Sequence, residues 1–352
     1  MKTIAFAGGW SWGHIFPIKS LIENINKPKY QILWFGNKNS LEEKITKELK
    51  NNWYNIVFLP VLSWKIRRWL SFKNLYLNTI DLWKNLIWFF QSFFYILKYK
   101  PNFIFSKWWF VAFNPSLVWK ILWKKIYLHE SDTIPWLVNK IVSKFANYVF
   151  VWFDYSKKYF KNQNIQTVWQ IISNKFYQEK WIYKKSWKTN LLVIWWSQWA
   201  KIIIEWIKKL LDNWKLQEFN IFIVWGLLNK QDIFEKYNNV KFFWFLSQDE
   251  LIDLYKKTDI SITRWSATSL SEQDQFDIKK IIVPLPFTGW NHQYFNAVEY
   301  QKKWDILVSQ LDKNFLNKLE AELQKLSNYK KTEGTYKKNT DNKQIILDKI
   351  LK

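Results

Sequence analysis

The sequence predicts an α/β protein built from two doubly wound parallel sheets. Short β-branched or aromatic runs alternate with helical patterns along most of the chain, which is typical of parallel sheets covered by helices on both faces. The runs form two series, and each series opens with a strand, a turn-like segment and a helix. Two such series indicate two domains. Because ligands bind at the carboxyl ends of the strands in these sheets, the cleft between the domains is the expected site.

The strands are predicted from their β-branched and aromatic composition. The first series lies at residues 3–7, 30–35, 55–61, 102–106, 125–130 and 148–153. The second series lies at residues 190–195, 220–225, 240–245, 259–263 and 280–286. The break between them predicts one domain over residues 1–170 and a second over 171–336, with an amphipathic helix at about 337–352 that is expected to pack back on the first domain.

Composition limits the classes of function. The 352 residues can bury two cores, and the absence of cysteine excludes disulfides, thiolate zinc sites and a cysteine nucleophile, as expected in the cytoplasm. Three histidines leave little for a metal cluster. The net charge of +24 favours an anionic partner, either nucleic acid, a phosphate-bearing substrate or an acidic membrane surface, although a general drift towards lysine explains it equally well.

Apolar runs indicate how the chain relates to membranes. No secretory leader is expected, because the segment MKTIAFAGG offers only a strand-length run followed by glycines. The most apolar stretch, residues 86–97, is about 12 residues long, whereas about 20 are needed to span a bilayer. The chain is therefore expected to be soluble or to lie on a membrane surface.

Tryptophan stands where glycine is expected in two loops. The chain has 27 tryptophans and only 7 glycines, and the segments GGWSWGH (residues 8–14) and WWSQWA (195–200) each join a strand to a helix. Backbone N–H groups at a helix N-terminus reach an anionic oxygen only where side chains are small and positive φ is allowed, conditions that glycine meets and tryptophan does not. With glycine in place of tryptophan the loops become GGGSGGH and GGSQGA.

A translation effect would explain this substitution. The codon UGA is read as tryptophan under some genetic codes and as glycine under others, so one unsuited translation table would alter all these positions together. This interpretation requires UGA codons at positions 10, 12, 195, 196 and 199, and UGG codons there would contradict it. The alternative is a genuinely tryptophan-rich protein whose rings pack the core.

Six motifs in order resemble one known family. They are GGWSWGHIFP (8–17), WWFV (108–111), HESDTIPWLVNK (129–140), WWSQWA (195–200), RWSATSLSE (264–272) and VPLPFTGWNHQYFNA (283–297). With glycine at the loop tryptophans, these segments are similar to the motifs of the MurG family, the N-acetylglucosaminyltransferases that complete the lipid-linked disaccharide precursor of peptidoglycan. The resemblance covers residues 1 to about 310.

The resemblance implies a fold and an activity. The fold is a GT-B glycosyltransferase, with two Rossmann-like domains facing a cleft. The activity is inverting transfer of N-acetylglucosamine from UDP-N-acetylglucosamine to the 4-hydroxyl of undecaprenyl-diphosphate-linked N-acetylmuramyl-peptide (lipid I to lipid II), a step of cell-wall synthesis that supports cell shape and division. No metal or other cofactor is expected, because the chain has no Asp-x-Asp triplet to bridge a diphosphate.

The resemblance also implies site residues. His14 is the expected general base, since imidazole titrates near working pH, and the alternative is a structural histidine. Glu272 would accept the ribose hydroxyls, and Leu246 would contact uracil through its backbone. The complete donor side is Ser11, Trp12, Gly13, Asp132, Ser197, Gln198, Leu246, Arg264, Ala267, Thr268, Ser269, Leu270, Ser271, Glu272, Gln293 and Asn296. The acceptor side is His129, Glu130 and Asn139. His292 is assigned equally to a supporting role and to simple exposure.

Two positions depart from the family pattern. Ser173 stands where the family has an arginine that approaches the diphosphate, so Arg264 or a nearby lysine would have to replace it. Asp132 stands where the family often has an amide, which puts its sugar contact in doubt.

One segment suggests a membrane surface. Residues 64–100 carry seven basic residues, one acidic residue and many aromatic rings. An apolar face edged by Lys65, Arg67, Arg68 and Lys73 suits an anionic lipid surface. Because the same segment of the family lies on the acceptor side, the resemblance implies a peripheral position on the cytoplasmic face of the cell membrane. The alternative is a core helix with a solvated basic flank.

Three other functions are weighed against transfer to lipid I. The first is transfer of a UDP-sugar to another lipid, such as a diacylglycerol. The second is nucleic-acid binding, which charge and rings together favour, but the basic residues spread across α/β units and no RNA-binding motif occurs. The third is a non-catalytic subunit, which would be expected to lack His14 or Glu272. The expected partners are therefore UDP-N-acetylglucosamine, the polyprenyl-linked acceptor and an anionic membrane, with no nucleic acid.

Overall fold

A computed structural model describes most of the chain. The described residues are 1–9, 12–61, 72–107, 110–177, 180–195, 201–213, 215–225, 234–244, 246–264, 266–286, 291–302, 305–332, 334–337 and 343–351. The chain divides into two compact units, one of Met1–Ser173 with Asp341–Lys352 and the other of Asn174–Thr340. Among the described residues, no helix is long and apolar enough to cross a membrane.

The first unit contains a seven-stranded parallel sheet. Its strands are β1 (Lys2–Ala7), β2 (Tyr30–Gly36), β3 (Ile56–Pro60), β4 (Phe103–Lys107), β5 (Lys125–Glu130), β6 (Tyr148–Val151) and β7 (Ile165–Thr167). Their order in the sheet is β3-β2-β1-β4-β5-β6-β7. Since β1 lies between β2 and β4, the strand order reverses at β1, and the loops that follow β1 and β4 lie side by side at the carboxyl edge.

Helices cover both faces of this sheet. They are α1 (Trp12–Glu23), α2 (Leu41–Asn51), α3 (Phe72–Tyr99), α4 (Phe110–Ile121), α5 (Leu137–Ser143) and α11 (Lys343–Leu351). Successive side chains of a strand point to opposite faces, so Phe6 packs with residues of α1, α2 and α11, whereas Ala5 and Ala7 pack with residues of α3 and α4. The strands are consequently apolar on both sides, as buried parallel strands are.

The second unit repeats this plan. Its main strands are β9 (Thr189–Trp195), β10 (Phe219–Trp225), β11 (Val240–Phe243), β12 (Ile260–Thr263), β13 (Lys279–Ile282) and β14 (Ile306–Leu307). Their order is β11-β10-β9-β12-β13-β14, so the order reverses at β9. Two further strands, β8 (Lys180–Tyr183) and β15 (Gly334–Lys337), form an antiparallel pair. The helices are α6 (Lys201–Asp212), α7 (Gln248–Lys257), α8 (Ala267–Asp274), α9 (His292–Gln301) and α10 (Phe315–Lys325).

Serine caps fix where several helices begin. The Ser247 side chain accepts from the backbone N–H of Glu250, and the Glu250 carboxylate accepts from the Ser247 N–H, which completes a capping box at α7. Ser266 caps α8 in the same way, by accepting from the backbone N–H of Ser269 at 3.5 Å. These caps satisfy backbone donors that the first turn of a helix leaves unpaired.

The two doubly wound sheets confirm the fold class predicted from the sequence. The sequence prediction missed β7, β8, β14 and β15, which are only two to four residues long. The two shortest, β7 and β14, carry too few residues for a strand pattern to stand out, and β8 and β15 pair with each other outside the two parallel sheets.

Two sets of described tryptophans differ sharply in their surroundings. Trp34, Trp88, Trp119 and Trp225 are almost completely buried, so these rings do pack cores. Trp53 and Trp123 are instead 87% and 89% exposed and have positive φ, of 65° and 56°. Core packing therefore accounts for the first four tryptophans but not for Trp53 and Trp123.

Trp53 and Trp123 occupy helix ends that favour glycine. After α2, the N–H of Tyr54 donates to Leu49 O at 3.1 Å and that of Trp53 donates to Lys50 O at 3.0 Å. After α4, the N–H of Lys124 donates to Trp119 O in the same pattern. This pair of bonds defines a Schellman motif, whose left-handed residue is usually glycine because a Cβ there meets the following carbonyl.

Replacing Trp53 with glycine is expected to stabilise the protein by about 1 kcal/mol, because glycine removes the penalty of a left-handed side chain. Thermal and denaturant unfolding would measure this gain. Trp53→Ala, which keeps a Cβ, is expected to gain little. Trp187→Gly is a second control, since Trp187 is fully exposed and lacks a positive φ. Equal effects of glycine and alanine at position 53 would contradict the explanation.

Candidate active site

In the first unit, the polar residues gather at the carboxyl edge of the sheet. His14 lies in the first turn of α1, directly after the loop that follows β1. Lys107 ends β4 and is in register with His129 of β5. The loop after β1 approaches β4 closely, because a Cβ on Gly8 would lie 2.5 Å from Lys107 O. A side chain at that position would push the two strand ends apart.

Lys107 and His129 form the buried centre of this edge. Neither residue exposes any surface, and Nζ of Lys107 lies 2.7 Å from Nδ1 of His129 and 2.8 Å from Oγ of Ser131. Ser131 in turn contacts Gln170, with 3.3 Å between the two oxygens. Burial lowers the pKa of Lys107 to about 7, against the raising effect of Glu130 and Asp132. The lysine is therefore poised to change charge near neutral pH.

His14 is held as a neutral imidazole. Desolvation lowers its pKa well below 6.5, and the nearby charge of Lys107 lowers it further. The same two causes, in the same order, lower the pKa of His129. A neutral imidazole has a nitrogen free of its proton and can serve as a base. The lowered pKa keeps His14 unprotonated near neutral pH, although it also makes the imidazole a weaker base than one that titrates near that pH.

The side chain of Glu130 lies on the opposite face of the sheet from that of His129. Its carboxylate accepts from the amide Nδ2 of Asn139 and from the backbone N–H of Asp132, both at 2.8 Å. Burial and the charge of Asp132 raise the pKa of Glu130 to about 8, despite these two bonds. Adjacent residues of a strand point to opposite faces, so the His-Glu pair of the sequence is divided between two clusters.

Asp132 is engaged within the unit. Its Oδ2 accepts from the indole Nε1 of Trp136 at 2.9 Å, and its backbone oxygen accepts from Ser156. Trp136 has a φ of −67°, so this loop position does not require glycine for its backbone conformation. The expected sugar contact of Asp132 would thus compete with an indole.

In the second unit, the equivalent edge carries the start of α8. β9 pairs with β12, so Arg264 and the capped N-terminus of α8 lie beside the end of β9. The first turn of α8 contains Ala267, Thr268 and Ser269, whose backbone N–H groups and helix dipole favour an anionic oxygen. Leu270, Ser271 and Glu272 continue the same helix.

Glu272 lies in a desolvated position on α8. Part of its surface remains accessible, yet burial raises the pKa of its carboxyl to about 8. Burial also lowers the pKa of Arg264 to about 10. Such shifts are concentrated at functional sites, where ionisable groups are kept from water.

The remaining donor-side residues are distributed along this edge. Gln293 lies in the first turn of α9, where its Oε1 accepts from the backbone N–H of Leu285 at 3.0 Å. Asn296, one turn later, is completely buried, and Leu246 is buried just before α7. Ser11, Ser197 and Gln198 lie outside the described residues, as do the side chains of Trp12 and His292. Gly13 precedes His14 in α1.

Comparison with known proteins supports one family. The N-terminal domain model of glycosyltransferase family 28 matches residues 4–151, and the C-terminal domain model of that family matches residues 190–350. The chain is 30% identical over 330 residues to the UDP-N-acetylglucosamine–N-acetylmuramyl-(pentapeptide) pyrophosphoryl-undecaprenol N-acetylglucosamine transferase of Clostridium botulinum strain Kyoto, with 91% of this chain and 90% of the relative covered. The chain belongs to the MurG family.

A second relative of the MurG family is more similar over a shorter region. The transferase of the same name from Borreliella burgdorferi is 40% identical over 164 residues. That alignment covers 46% of this chain and 43% of the relative, so it spans less than half of either protein.

Solved structures share the fold. MurG of Acinetobacter baumannii superposes with a TM-score of 0.68 at 18% identity and covers 92% of this chain and 91% of its own. A UDP co-structure of Staphylococcus aureus MnaA has a TM-score of 0.62 at 12% identity, covering 99% and 96%. At these identities the similarity concerns the fold alone.

Within this MurG-family chain, sequence reasoning missed Lys107. The motif WWFV was taken to begin at residue 108, directly after the lysine. A lysine that closes the apolar strand FIFSK immediately before a loop was the available signal, because a charged residue rarely ends a buried strand without a partner.

The affinity for UDP-N-acetylglucosamine is expected to fall as pH falls below about 8. In the arrangement that the resemblance implies, ribose hydroxyls donate to the ionised carboxylate of Glu272, so nucleotide binding would favour that form and release a proton wherever the free carboxyl is protonated. Calorimetric titration between about pH 6 and 8.5 would measure up to about tenfold weaker binding per pH unit.

Glu272→Gln is the matched variant, because it keeps the shape and cannot ionise. Its affinity is expected to be lower and independent of pH across this range. A slope that persists in Glu272→Gln would assign the titration to another group.

Proposed function

We propose that this chain transfers N-acetylglucosamine from UDP-N-acetylglucosamine to the 4-hydroxyl of a polyprenyl-diphosphate-linked N-acetylmuramyl-peptide. The names of its MurG-family relatives describe this activity, and one of them aligns over nine-tenths of both chains. The observation that carries the proposal is His14, a desolvated, neutral imidazole directly after the loop at the strand-order reversal of the first sheet. The reaction needs a base of this kind for the acceptor hydroxyl.

The reaction is a single displacement. The acceptor oxygen forms a bond to the anomeric carbon as the bond from that carbon to the diphosphate oxygen breaks, so the configuration inverts and UDP leaves with the electron pair. His14 takes the hydroxyl proton as the new bond forms. Because its pKa is lowered, His14 stays unprotonated across the neutral range and is available in each turnover.

The second unit supplies the donor site in this proposal. The N-terminus of α8 faces the departing diphosphate with backbone N–H groups and the positive end of its dipole, which stabilises the charge that develops there. Arg264, next to this turn, adds a positive charge. It takes over the task of the family arginine, whose position is occupied by Ser173 in this chain. Glu272 holds the ribose, and Gln293 and Asn296 contact the sugar.

His14→Ala is expected to lower kcat by about 10²–10⁴-fold, because it removes the base, while UDP binding stays unchanged. The measurement is transfer of labelled N-acetylglucosamine to lipid-linked acceptor by the chain with glycine at positions 10, 12, 195, 196 and 199. The chain with tryptophan at these positions is expected to transfer little. Diacylglycerol is tested in parallel as the competing acceptor.

Unchanged turnover in His14→Ala would remove His14 from the mechanism. Transfer to diacylglycerol without transfer to the muramyl-peptide would replace the proposed acceptor but retain the donor chemistry.

We also propose that α3 docks the first unit on the cytoplasmic face of the membrane. A stripe of large apolar side chains on this helix is 42–69% exposed, comprising Tyr76, Leu82, Trp83, Leu86, Ile87, Phe90, Phe94 and Leu97. Each of these residues lies three, four or seven positions from another of the set, so they share one side of the helix. The opposite side, with Trp88 and Ile96, packs in the core.

This stripe favours the membrane interpretation over a core helix. Contiguous exposed apolar surface on a folded unit marks a surface for binding a protein or a membrane, and helices that lie in a lipid interface carry such a stripe. Lys98 and Lys100 are exposed at its end, whereas Lys65, Arg67 and Arg68 lie outside the described residues, as does the side chain of Lys73.

Phe90→Ser with Phe94→Ser is expected to weaken vesicle binding by about tenfold or more, because each ring removes roughly 1–3 kcal/mol of apolar burial. Flotation with anionic and with neutral vesicles would measure binding and its dependence on lipid charge. The matched control is Ile182→Ser with Leu311→Ser, which removes similarly exposed side chains from the second unit. An equal loss of vesicle binding in the two double variants would count against this docking, as would binding that does not depend on lipid charge.

A further inference from the structure

Lys107 is a buried ionisable residue that the proposed reaction does not use. It exposes no surface, and its ammonium contacts Nδ1 of His129 and Oγ of Ser131, at 2.7 and 2.8 Å. An ammonium in the interior is costly unless its neighbours compensate for the lost water. A methionine of similar length would fill this space without that cost, so the charge needs an explanation in function.

We propose that Lys107 is a positioning residue, which donates to Nδ1 of His129 and so fixes the tautomer and orientation of that imidazole at the edge where His14 lies. The inference rests on the proposed function only in taking His14 as the base.

The donor capacity of lysine decides the tautomer. An ammonium has three N–H donors and no acceptor, so Nδ1 of His129 must accept and the ring proton must lie on Nε2. Nε2 is buried and has no hydrogen-bond partner among the described residues. Through its contact with Nδ1, Lys107 therefore fixes the ring proton on Nε2, which becomes a hydrogen-bond donor on the other side of the imidazole. Stacking on Phe105, with ring centroids 6.4 Å apart, restricts the plane of the imidazole further.

The surrounding charges act in one direction. Glu130 and Asp132, at and after the end of β5, favour the charged lysine. Oγ of Ser131 accepts a hydrogen bond from its ammonium. The lysine charge in turn lowers the pKa of both His129 on β5 and His14 on α1. Burial is the main cause of these lowered pKa values, and the charge of Lys107, where the lysine is protonated, adds to it.

Histidine NMR tests this inference without requiring activity. The chain has only three histidines, so the imidazole ¹⁵N and ¹H signals are few, and His129→Asn and His292→Gln assign them. At about pH 6, His129 is expected as the Nε2–H tautomer, and neither His129 nor His14 should titrate until well below 6.5.

Lys107→Met is expected to remove the tautomer preference and to raise the pH at which both imidazoles titrate by at least about half a unit. Ser131→Ala, which removes only the neutral partner, should leave the tautomer unchanged. Lys107→Arg, which keeps a charged donor, should retain it and serves if the methionine variant does not fold. An Nδ1–H tautomer in the unaltered chain, or the same spectrum in Lys107→Met, would overturn the proposal.

Kinetics test the link to catalysis. In the glycine-bearing background used for His14→Ala, Lys107→Met should lower kcat by about 10–100-fold and leave the KM for UDP-N-acetylglucosamine within about twofold. The acid limb of the pH profile should move to higher pH, because the imidazoles protonate more readily. The double variant Lys107→Met/His129→Asn should have a kcat little lower than that of His129→Asn alone, because Lys107 acts through His129.

If the fold-losses in kcat of Lys107→Met and His129→Asn multiply in the double variant, Lys107 does not act through His129. A lower melting temperature with normal kcat in Lys107→Met would show that the lysine is merely structural. If the chain transfers no sugar at all, the proposed function fails while the NMR measurement still decides the role of Lys107.

Discussion

The ammonium of Lys107, paired with His129 across two neighbouring parallel strands, is the interaction on which the first unit's site depends. Parallel strands in register bring side chains from distant parts of the sequence to the same height and the same face of the sheet. Their carboxyl ends carry polar groups that cannot be buried singly. Here lysine, histidine, serine and glutamine form one chain of contacts, and the loop before His14 is packed against the backbone of the same lysine.

The fold followed from the sequence because periodicity is a local property. Apolar runs such as that of β1 mark buried parallel strands, and helical patterns between them set the winding. The site followed only in part. The segment around His129 and Glu130 was recognisable, and its prediction as a strand already places these neighbours on opposite faces of the sheet. The pairing of Lys107 with His129 depends on the register of two strands, which no local pattern specifies.

Tryptophan illustrates the same limit from another direction. A loop between a strand and a helix is recognisable from the sequence and is expected to contain small residues. The tryptophans in these loops therefore stood out. The left-handed helix ends at Trp53 and Trp123 gave no such signal, because the conformation arises from the termination of a helix whose exact last residue cannot be read from its composition. Buried rings such as Trp34 and Trp225 show that position, rather than residue type, decides what a tryptophan does.

The placement of α11 has a consequence for synthesis on the ribosome. Ile346, Leu347 and Ile350 complete the hydrophobic core around β1 and α1, although the whole second unit intervenes in the sequence. At about 5–20 residues per second, the ribosome needs on the order of ten seconds or more to reach this helix after the seven strands of the first sheet are made. During that interval the face of the sheet beneath α11 is uncovered. The core of the first unit is therefore completed only after the whole second unit has been made, whereas the second unit is translated without interruption.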